Sequence, residues 1–334
     1  MALPLWRKEL GYLGQIVRGR SFQCLVQVTN RCNMRCDFCD FWPHGAKSQE
    51  LSVAEYAEFA TQLSDLGQFM ISIEGGEPFV RPDLPDIIDV FSRAHLTVLF
   101  TNGWYVNADL AQRVFANGLN AVGVSIDYPD AAMHDQRRGL KGAFERACAA
   151  VEFFREAAPL RGKQVHVISV LMQENQDRVE ELLELSRELK VGHYFTLISS
   201  AGYRRGDAAE LPAPRPNAYW EDLLRRYRHL RVLPAYLKGI SRFLEADSLP
   251  ACNAGVASFN LDHVGNIAPC IEKIDQAMGN VRTQSVPELL AQLKLAPGTA
   301  GCQACWTLCR GQAQLLGQKV WSNLVPLVRR RHAV

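Results

Sequence analysis

The cysteines are the side chains of this sequence best suited to chemistry. Cys32, Cys36 and Cys39 follow a short apolar run at 23–29, in the spacing Cys-x3-Cys-x2-Cys. Three thiolates on one loop can hold a 4Fe–4S cluster and leave the fourth iron open to a chelating ligand. They could also hold zinc with His44 as a fourth ligand, and the spacing alone leaves both readings open.

A second group of cysteines lies in the last quarter of the chain. Its members are Cys252, Cys270, Cys302, Cys305 and Cys309. Residues 258–261 and 266–268 predict two strands of a hairpin with a turn at 262–265, which can carry ligands at both ends. Four thiols suit one further cluster or a structural zinc site. Cys309 would then replace a ligand, donate a hydrogen atom from its thiol, or pack.

The composition narrows the class of protein. Ten cysteines in 334 residues are too few for a disulfide scaffold, and their clustering is typical of metal ligands in a reducing compartment. Cys24 and Cys148 fall in a predicted strand and helix, where we expect them to pack as small hydrophobes. A net charge of +2, from 37 basic and 35 acidic residues, gives no reason to expect a nucleic-acid partner.

No apolar run is long enough to span a membrane, and charges interrupt any signal-like core, so we expect a cytoplasmic protein. Both ends are locally basic, and we expect them to be solvated, with peripheral contact with a membrane surface as the alternative. The basic residues are Arg7, Lys8, Arg18, Arg20, Arg329, Arg330 and Arg331.

Short apolar runs alternate with helical patterns through the first 200 residues. The runs lie at 23–29, 69–73, 97–100, 121–126, 165–171 and 194–198. Such repeats with buried strands predict an α/β fold with a parallel sheet. Because six repeats fall short of the eight that close a barrel, we expect an open (β/α)6 partial TIM-like barrel, with a doubly wound sheet as the alternative. In both, ligands bind at the carboxyl ends of the strands.

Composition changes predict four parts. They are an amphipathic helix at 1–20, the partial barrel at 21–215, a helical linker at 216–250, and a small cysteine-rich α+β domain with a terminal helix at 251–334. Three prolines between 212 and 216 mark the end of the barrel.

Polar motifs follow three of the predicted strands. Glu74-Gly75-Gly76-Glu77-Pro78 follows the second, where glycines let the backbone approach a ligand and a carboxylate suits an ammonium group. Glu74 with Glu77 as an acid/base pair is the alternative. Thr101-Asn102-Gly103 and Ser125-Ile126-Asp127 follow the third and fourth strands, and each alone is a common turn or helix cap.

Taken together, these motifs resemble the radical S-adenosylmethionine (SAM) superfamily over nearly the whole chain. The resemblance implies that Cys32, Cys36 and Cys39 hold the cluster that cleaves SAM. It also implies that Phe38 lies against the adenine, that Gly75, Gly76 and Glu77 hold the methionyl amine, and that Thr101, Asn102, Ser125 and Asp127 approach the ribose and carboxylate. The stretch from His134 to Phe144 resembles the family's fourth-helix entry, and we expect it to be structural.

The second cysteine group resembles the auxiliary-cluster extensions of this superfamily, called SPASM and, when shortened, twitch domains. The resemblance implies one auxiliary 4Fe–4S cluster on Cys252, Cys270, Cys302 and Cys305. A full SPASM domain usually has seven cysteines, and here none follows Cys309.

The resemblance implies a reaction in which an electron, from a donor such as flavodoxin or ferredoxin, cleaves SAM to a 5′-deoxyadenosyl radical. That radical would abstract hydrogen from an unactivated carbon. Because only 31 residues precede Cys32, we expect a small-molecule, sugar or lipid-linked substrate and its dehydrogenation. A peptide-modifying enzyme and a non-catalytic iron–sulfur or zinc scaffold are the alternatives. Tyr203, Arg204 and Arg205 are candidate substrate contacts.

Overall fold

The structure is a computed structural model that describes residues 2–45, 49–159, 164–199, 202, 210–246, 249–295 and 301–318. The predicted substrate contacts Tyr203, Arg204 and Arg205 lie outside the described residues, as do Arg329, Arg330 and Arg331.

Six parallel strands form the barrel wall and lie side by side in chain order. They are β1 (Gln23–Thr29), β2 (Met70–Gly75), β3 (Leu96–Thr101), β4 (Ala121–Ser125), β5 (Gln164–Leu171) and β6 (Gly192–Leu197). Because consecutive strands are neighbours and β6 does not return to β1, the wall stays open, which confirms the predicted partial barrel.

Helices cover the outer face and the amino ends of this wall. They are α1 (Leu5–Val17), α2 (Val53–Leu66), α3 (Leu84–Ser92), α4 (Ala108–Ala116), α5 (Ala131–Arg138), α6 (Ala143–Ala157), α7 (Val179–Glu188), α8 (Asn217–Arg226), α9 (Pro234–Leu244), α10 (Val286–Leu295) and α11 (Leu308–Gln318). Side-chain hydrogen bonds cap the amino ends of several helices. At the start of α2, the Ser52 hydroxyl accepts a hydrogen bond from the Glu55 N–H, and the Glu55 carboxylate accepts one from the Ser52 N–H.

The cysteine-rich region extends the same sheet. It contributes β7 (Ser258–Leu261), β8 (Asn266–Ala268) and β9 (Gly279–Asn280). β7 pairs with β1 in parallel, whereas β7 with β8 and β8 with β9 are antiparallel, which confirms the predicted hairpin. The domain boundaries at residues 20, 215 and 250 stay predictions. One sheet includes strands from both sides of residue 250, because β7 pairs with β1.

Helix α1 lies across the amino ends of the strands. The Gln15 side chain donates to the Leu66 carbonyl, which precedes β2, and the Leu3 N–H donates to the Arg93 carbonyl, which precedes β3. Trp6 and Leu10 are exposed on its outer side. None of the described helices is long and apolar enough to cross a membrane. Contact of the basic ends with a membrane surface stays a prediction.

Candidate active site

The first cysteine loop leaves the carboxyl end of β1 and is tied down at both ends. The Arg31 guanidinium donates twice to the Glu50 carboxylate at 3.0 Å, and the Arg31 carbonyl accepts from the Glu77 N–H at 2.8 Å. Further along, the Arg35 N–H donates to the Arg138 carbonyl at 3.2 Å. The loop that carries the three thiols is therefore anchored to β2 and to the end of α5.

The thiols of this loop are close neighbours in buried surroundings. Burial raises the pKa of Cys32 to about 11 and that of Cys36 to about 12, although the nearby Arg138 charge opposes the second shift. Cys39 contributes to both shifts, which places all three within electrostatic range of one another. Neutral thiols must lose their protons when they bind iron.

The side chains of this loop do not converge on one point. Among the residues described, no three cysteine, histidine, aspartate or glutamate side chains lie close enough to hold a metal ion. His44, the fourth ligand of the zinc alternative, lies 3.6 Å from the Asp40 carboxylate on the surface. The three thiols still match the donor set of a cubane cluster, since they share one loop and leave one iron open.

Two glycines let the end of β2 approach the root of the cysteine loop. A Cβ on Gly75, whose φ is 144°, would lie 2.3 Å from the Thr29 carbonyl oxygen, and one on Gly76 would lie 2.2 Å from that of Arg31. Both distances are shorter than any real Cβ contact, so glycine is required at both positions. The Gly-Gly pair thus brings bare backbone beside the cysteines.

The Glu77 carboxylate joins the ends of β2 and β3. It is buried, and it accepts hydrogen bonds from the Thr101 hydroxyl at 2.7 Å, the Asn102 N–H at 2.7 Å and the Phe79 N–H at 3.0 Å. Burial raises the pKa of Glu77, and these donors oppose the rise. Asn102 in turn donates to the Asn33 side chain at 2.9 Å, within the cysteine loop. The residues predicted from separate strand ends are therefore brought together.

The Asp127 carboxylate accepts hydrogen bonds from other groups of the protein. Its Oδ2 accepts from Arg138 at 2.8 and 2.5 Å, and its Oδ1 accepts from the Val170 N–H at 2.8 Å. Both charged side chains are buried, and the guanidinium carbon lies 5.4 Å from the centre of the Phe38 ring. Burial disfavours the charged form of Arg138, but the Asp127 and Cys36 charges outweigh it and hold the Arg138 pKa above its usual range.

Sequence reasoning missed Arg138, because the segment around it was expected to be structural. The available signal was an arginine placed directly before Gly139, whose φ of 62° ends α5 beside the cysteine loop. Ser125, also predicted to approach the cofactor, lies half-buried at the end of β4.

The second group of cysteines gathers between β8 and α11. The Cys252 N–H donates to the Cys302 carbonyl at 3.3 Å. Burial raises the pKa of Cys270 to about 12, and Cys305 and Cys309 add to the shift. The Cys309 sulfur lies 3.1 Å from the Thr307 hydroxyl at the start of α11. The fold thus brings the five distant thiols into one region.

A buried arginine links two backbone segments of this region. Arg310 donates to the carbonyls of Cys305 and Pro250, the latter at 3.1 Å. Cys24 is buried and Cys148 half-buried, on β1 and α6 respectively, in line with the prediction that they pack.

Comparison with known proteins agrees with this arrangement. Residues 26–186 match the family model of the radical SAM superfamily. An AdoMet-dependent heme synthase of Oleidesulfovibrio alaskensis is 26% identical over 291 residues, or 79% of this chain and 72% of that protein. The mycofactocin maturase MftC of Mycolicibacterium smegmatis is 27% identical over 318 residues, or 86% and 77%.

A third relative, the PqqA peptide cyclase of Gluconobacter oxydans, is 30% identical over 170 residues, which are 50% of this chain and 46% of that protein. Among solved structures, Streptococcus suis SuiB bound to its precursor peptide SuiA shares the fold, with a TM-score of 0.64 and 14% identity. The match covers 84% of this chain and 67% of SuiB. The family match shows that residues 26–186 form a radical SAM domain, and enzymes of that superfamily use SAM and a 4Fe–4S cluster.

Proposed function

We propose that this radical SAM enzyme modifies a peptide or protein by abstracting hydrogen from a carbon of its substrate. The names of two relatives support this choice, since one is a maturase that matches 86% of the chain and another is a peptide cyclase. The small-molecule substrate expected from the short segment before Cys32 has less support. The heme synthase relative favours it, so it is kept as the second candidate.

The observation that carries the enzymatic proposal is the convergence of the cysteine loop, the Gly-Gly pair and the Glu77 network at one edge of the sheet. In it, Cys32, Cys36 and Cys39 hold the SAM-cleaving cluster. The bound cluster and SAM together supply a 5′-deoxyadenosyl radical. A scaffold that only stored iron or zinc would not need glycines that bring bare backbone to the cysteines.

The surrounding residues orient the cofactor. Each carboxylate oxygen of Glu77 can accept two hydrogen bonds, and the three donors leave one position, on Oε2, for the methionyl ammonium. The Gly75 and Gly76 backbone completes that contact. Thr101, Asn102 and Ser125 approach the ribose and the carboxylate.

In this proposal, the Asp127 carboxylate acts indirectly, because it fixes the position of the Arg138 guanidinium. The guanidinium is a fixed positive charge beside three ligands that become thiolates, and it holds the Phe38 ring on which the adenine lies. Loss of either charge would leave the other buried and unpaired.

We assign one auxiliary 4Fe–4S cluster to Cys252, Cys270, Cys302 and Cys305. The thiols of Cys252 and Cys270 both lie within electrostatic range of Cys305, which supports a shared site. The cluster would accept an electron from the substrate radical or bind the substrate. Cys309, next to Thr307, is the reserve ligand or a hydrogen donor.

The test separates the two substrate classes. Protein reconstituted without oxygen is reduced with flavodoxin or dithionite and given SAM and an extract of the cells that produce it. Stimulation of 5′-deoxyadenosine formation that disappears after the extract is treated with protease supports a peptide substrate. Stimulation that survives the protease and passes a small-molecule filter supports the second candidate.

A further inference from the structure

Two buried amide side chains point into the barrel rather than toward its helices. On β1, Val26 and Val28 pack in the core that the helices cover, so Gln27 between them faces the interior. On β7, Phe259 and Leu261 belong to the same core, so Asn260 faces the interior as well. Both amides are fully buried, with 0% of their surface exposed.

Within the part of the chain that the structure describes, neither amide has a hydrogen-bond partner. This holds for the side-chain oxygen and nitrogen of both Gln27 and Asn260. Asn175, which is buried to the same degree, shows the contrast: it donates to the Asp127 and Val170 carbonyls at 2.9 and 2.7 Å and accepts from the Met172 N–H at 2.8 Å. Because an unpaired buried amide is destabilising, such a pair indicates a site kept for a ligand.

The two amides are neighbours on the inner wall. In the parallel register Asn260 lies opposite Leu25, and Gln27 is the next residue of β1 on that face. Strand spacing then puts their Cα atoms roughly 8 Å apart. Gln27 also lies beside Glu74 of β2, and its strand leads into the cysteine loop. The pair therefore lies in the barrel below the proposed cofactor site.

The inner face of the wall is partly exposed on two other strands. Along β3, Val98 and Phe100 are half-buried while Leu99 between them is buried, and along β6 Tyr194 and Thr196 show the same alternation. The barrel interior is therefore open along β3 and β6, whose inner faces are largely apolar and aromatic. The two amides on β1 and β7 are covered, with no surface exposed.

We propose that Gln27 and Asn260 form an amide-binding subsite that hydrogen-bonds a neutral amide of the substrate, either a peptide bond or a primary carboxamide. Each side chain offers a donor and an acceptor, which is what an amide requires, and neither offers charge to a carboxylate or ammonium group. Phe100 and Tyr194 would contact the adjoining apolar part. This inference rests on the proposed peptide substrate and gives β7 of the cysteine-rich region a part in specificity.

The first test uses the ligand-free protein. Gln27→Met and Asn260→Leu remove polar atoms that have no partner, so the melting temperature should stay unchanged or rise. The matched variant Asn175→Leu removes three hydrogen bonds and should lower it by about 5 °C. A fall in both inner-wall variants as large as the control's would show that the amides are structural, and would overturn the proposal.

The second test measures binding of N-acetylglycine N-methylamide, which carries two peptide units and no charge, by saturation-transfer NMR to SAM-loaded protein. We expect binding to wild type and at least tenfold weaker binding to either inner-wall variant. Equal binding by all three proteins, or none by wild type, would contradict the subsite. Substrate-free 5′-deoxyadenosine formation is measured with wild type. Because that reaction reports on the cluster and SAM alone, its absence in wild type would refute the proposed function while the binding result still decides the subsite.

Discussion

Replacement of Asp127 by Asn tests the buried charge pair beside the cysteines. The change keeps the shape of the side chain and an oxygen for the Val170 N–H, but it leaves Arg138 as a buried cation without its counter-ion. Breaking such a pair costs about 3–5 kcal/mol. With an unfolding entropy of about 2.1 cal/mol/K per residue, the whole chain changes by about 0.7 kcal/mol per degree. The melting temperature should therefore fall by about 4–7 °C.

The matched control is Asp130→Asn. Asp130 pairs with Arg178 at 3.2 Å on the surface and caps α5 through the Met133 N–H, a role that Asn fills equally well. Because an exposed pair contributes at most about 1 kcal/mol, this variant should melt within about 1.5 °C of wild type by differential scanning calorimetry. Equal shifts in the two variants would refute the view that the Asp127 pair holds the site together.

Three further predictions concern a buried histidine, the Gly-Gly pair and the second group of cysteines. Burial lowers the pKa of His95 from its usual 6.5 to about 4. As the pH falls from 6.5 toward 4, the unfolded chain therefore binds a proton at His95 before the folded protein does, and the folded protein loses stability. His95→Gln should flatten the pH dependence of urea unfolding by about 1 kcal/mol per pH unit between pH 6 and 4.5, and an unchanged slope would refute this assignment. Gly76→Ala pushes a Cβ onto the Arg31 carbonyl, so iron bound by the first loop and 5′-deoxyadenosine formation should both fall at least tenfold. Cys252→Ala should lower iron from about eight to about four atoms per chain without abolishing SAM cleavage, whereas Cys148→Ala should leave iron unchanged.

The sequence predicted elements best where the apolar pattern is plain. The run at 23–29 is β1 to the residue, and the run at 165–171 differs from β5 by one residue at its start. The sixth strand was predicted two residues late, because His193 near its start is polar. In the structure His193 is fully buried between the hydroxyls of Ser169 and Ser186, which compensates its polarity in a way that a hydrophobic pattern cannot reveal.

Partners set by the three-dimensional fold were beyond the sequence. The motifs identified Glu77 and Asp127 as site residues. They did not show that Thr101 donates a hydrogen bond to the Glu77 carboxylate or that Arg138 donates to the Asp127 carboxylate. The parallel pairing of β7 with β1 joins residues more than 200 positions apart, and no local spacing encodes it. These long-range contacts decide which groups face a ligand and which only position others.

Formation of 5′-deoxyadenosine is the most direct test of the central claim. Wild type and Cys36→Ala are reconstituted with iron and sulfide without oxygen, reduced, and incubated with SAM. Wild type should form 5′-deoxyadenosine and methionine in equal amounts, and the variant should form neither while keeping about half of the iron on its second group of cysteines. Product from both proteins, or from neither with only zinc bound, would contradict the assignment of Cys32, Cys36 and Cys39 as the site where SAM is cleaved.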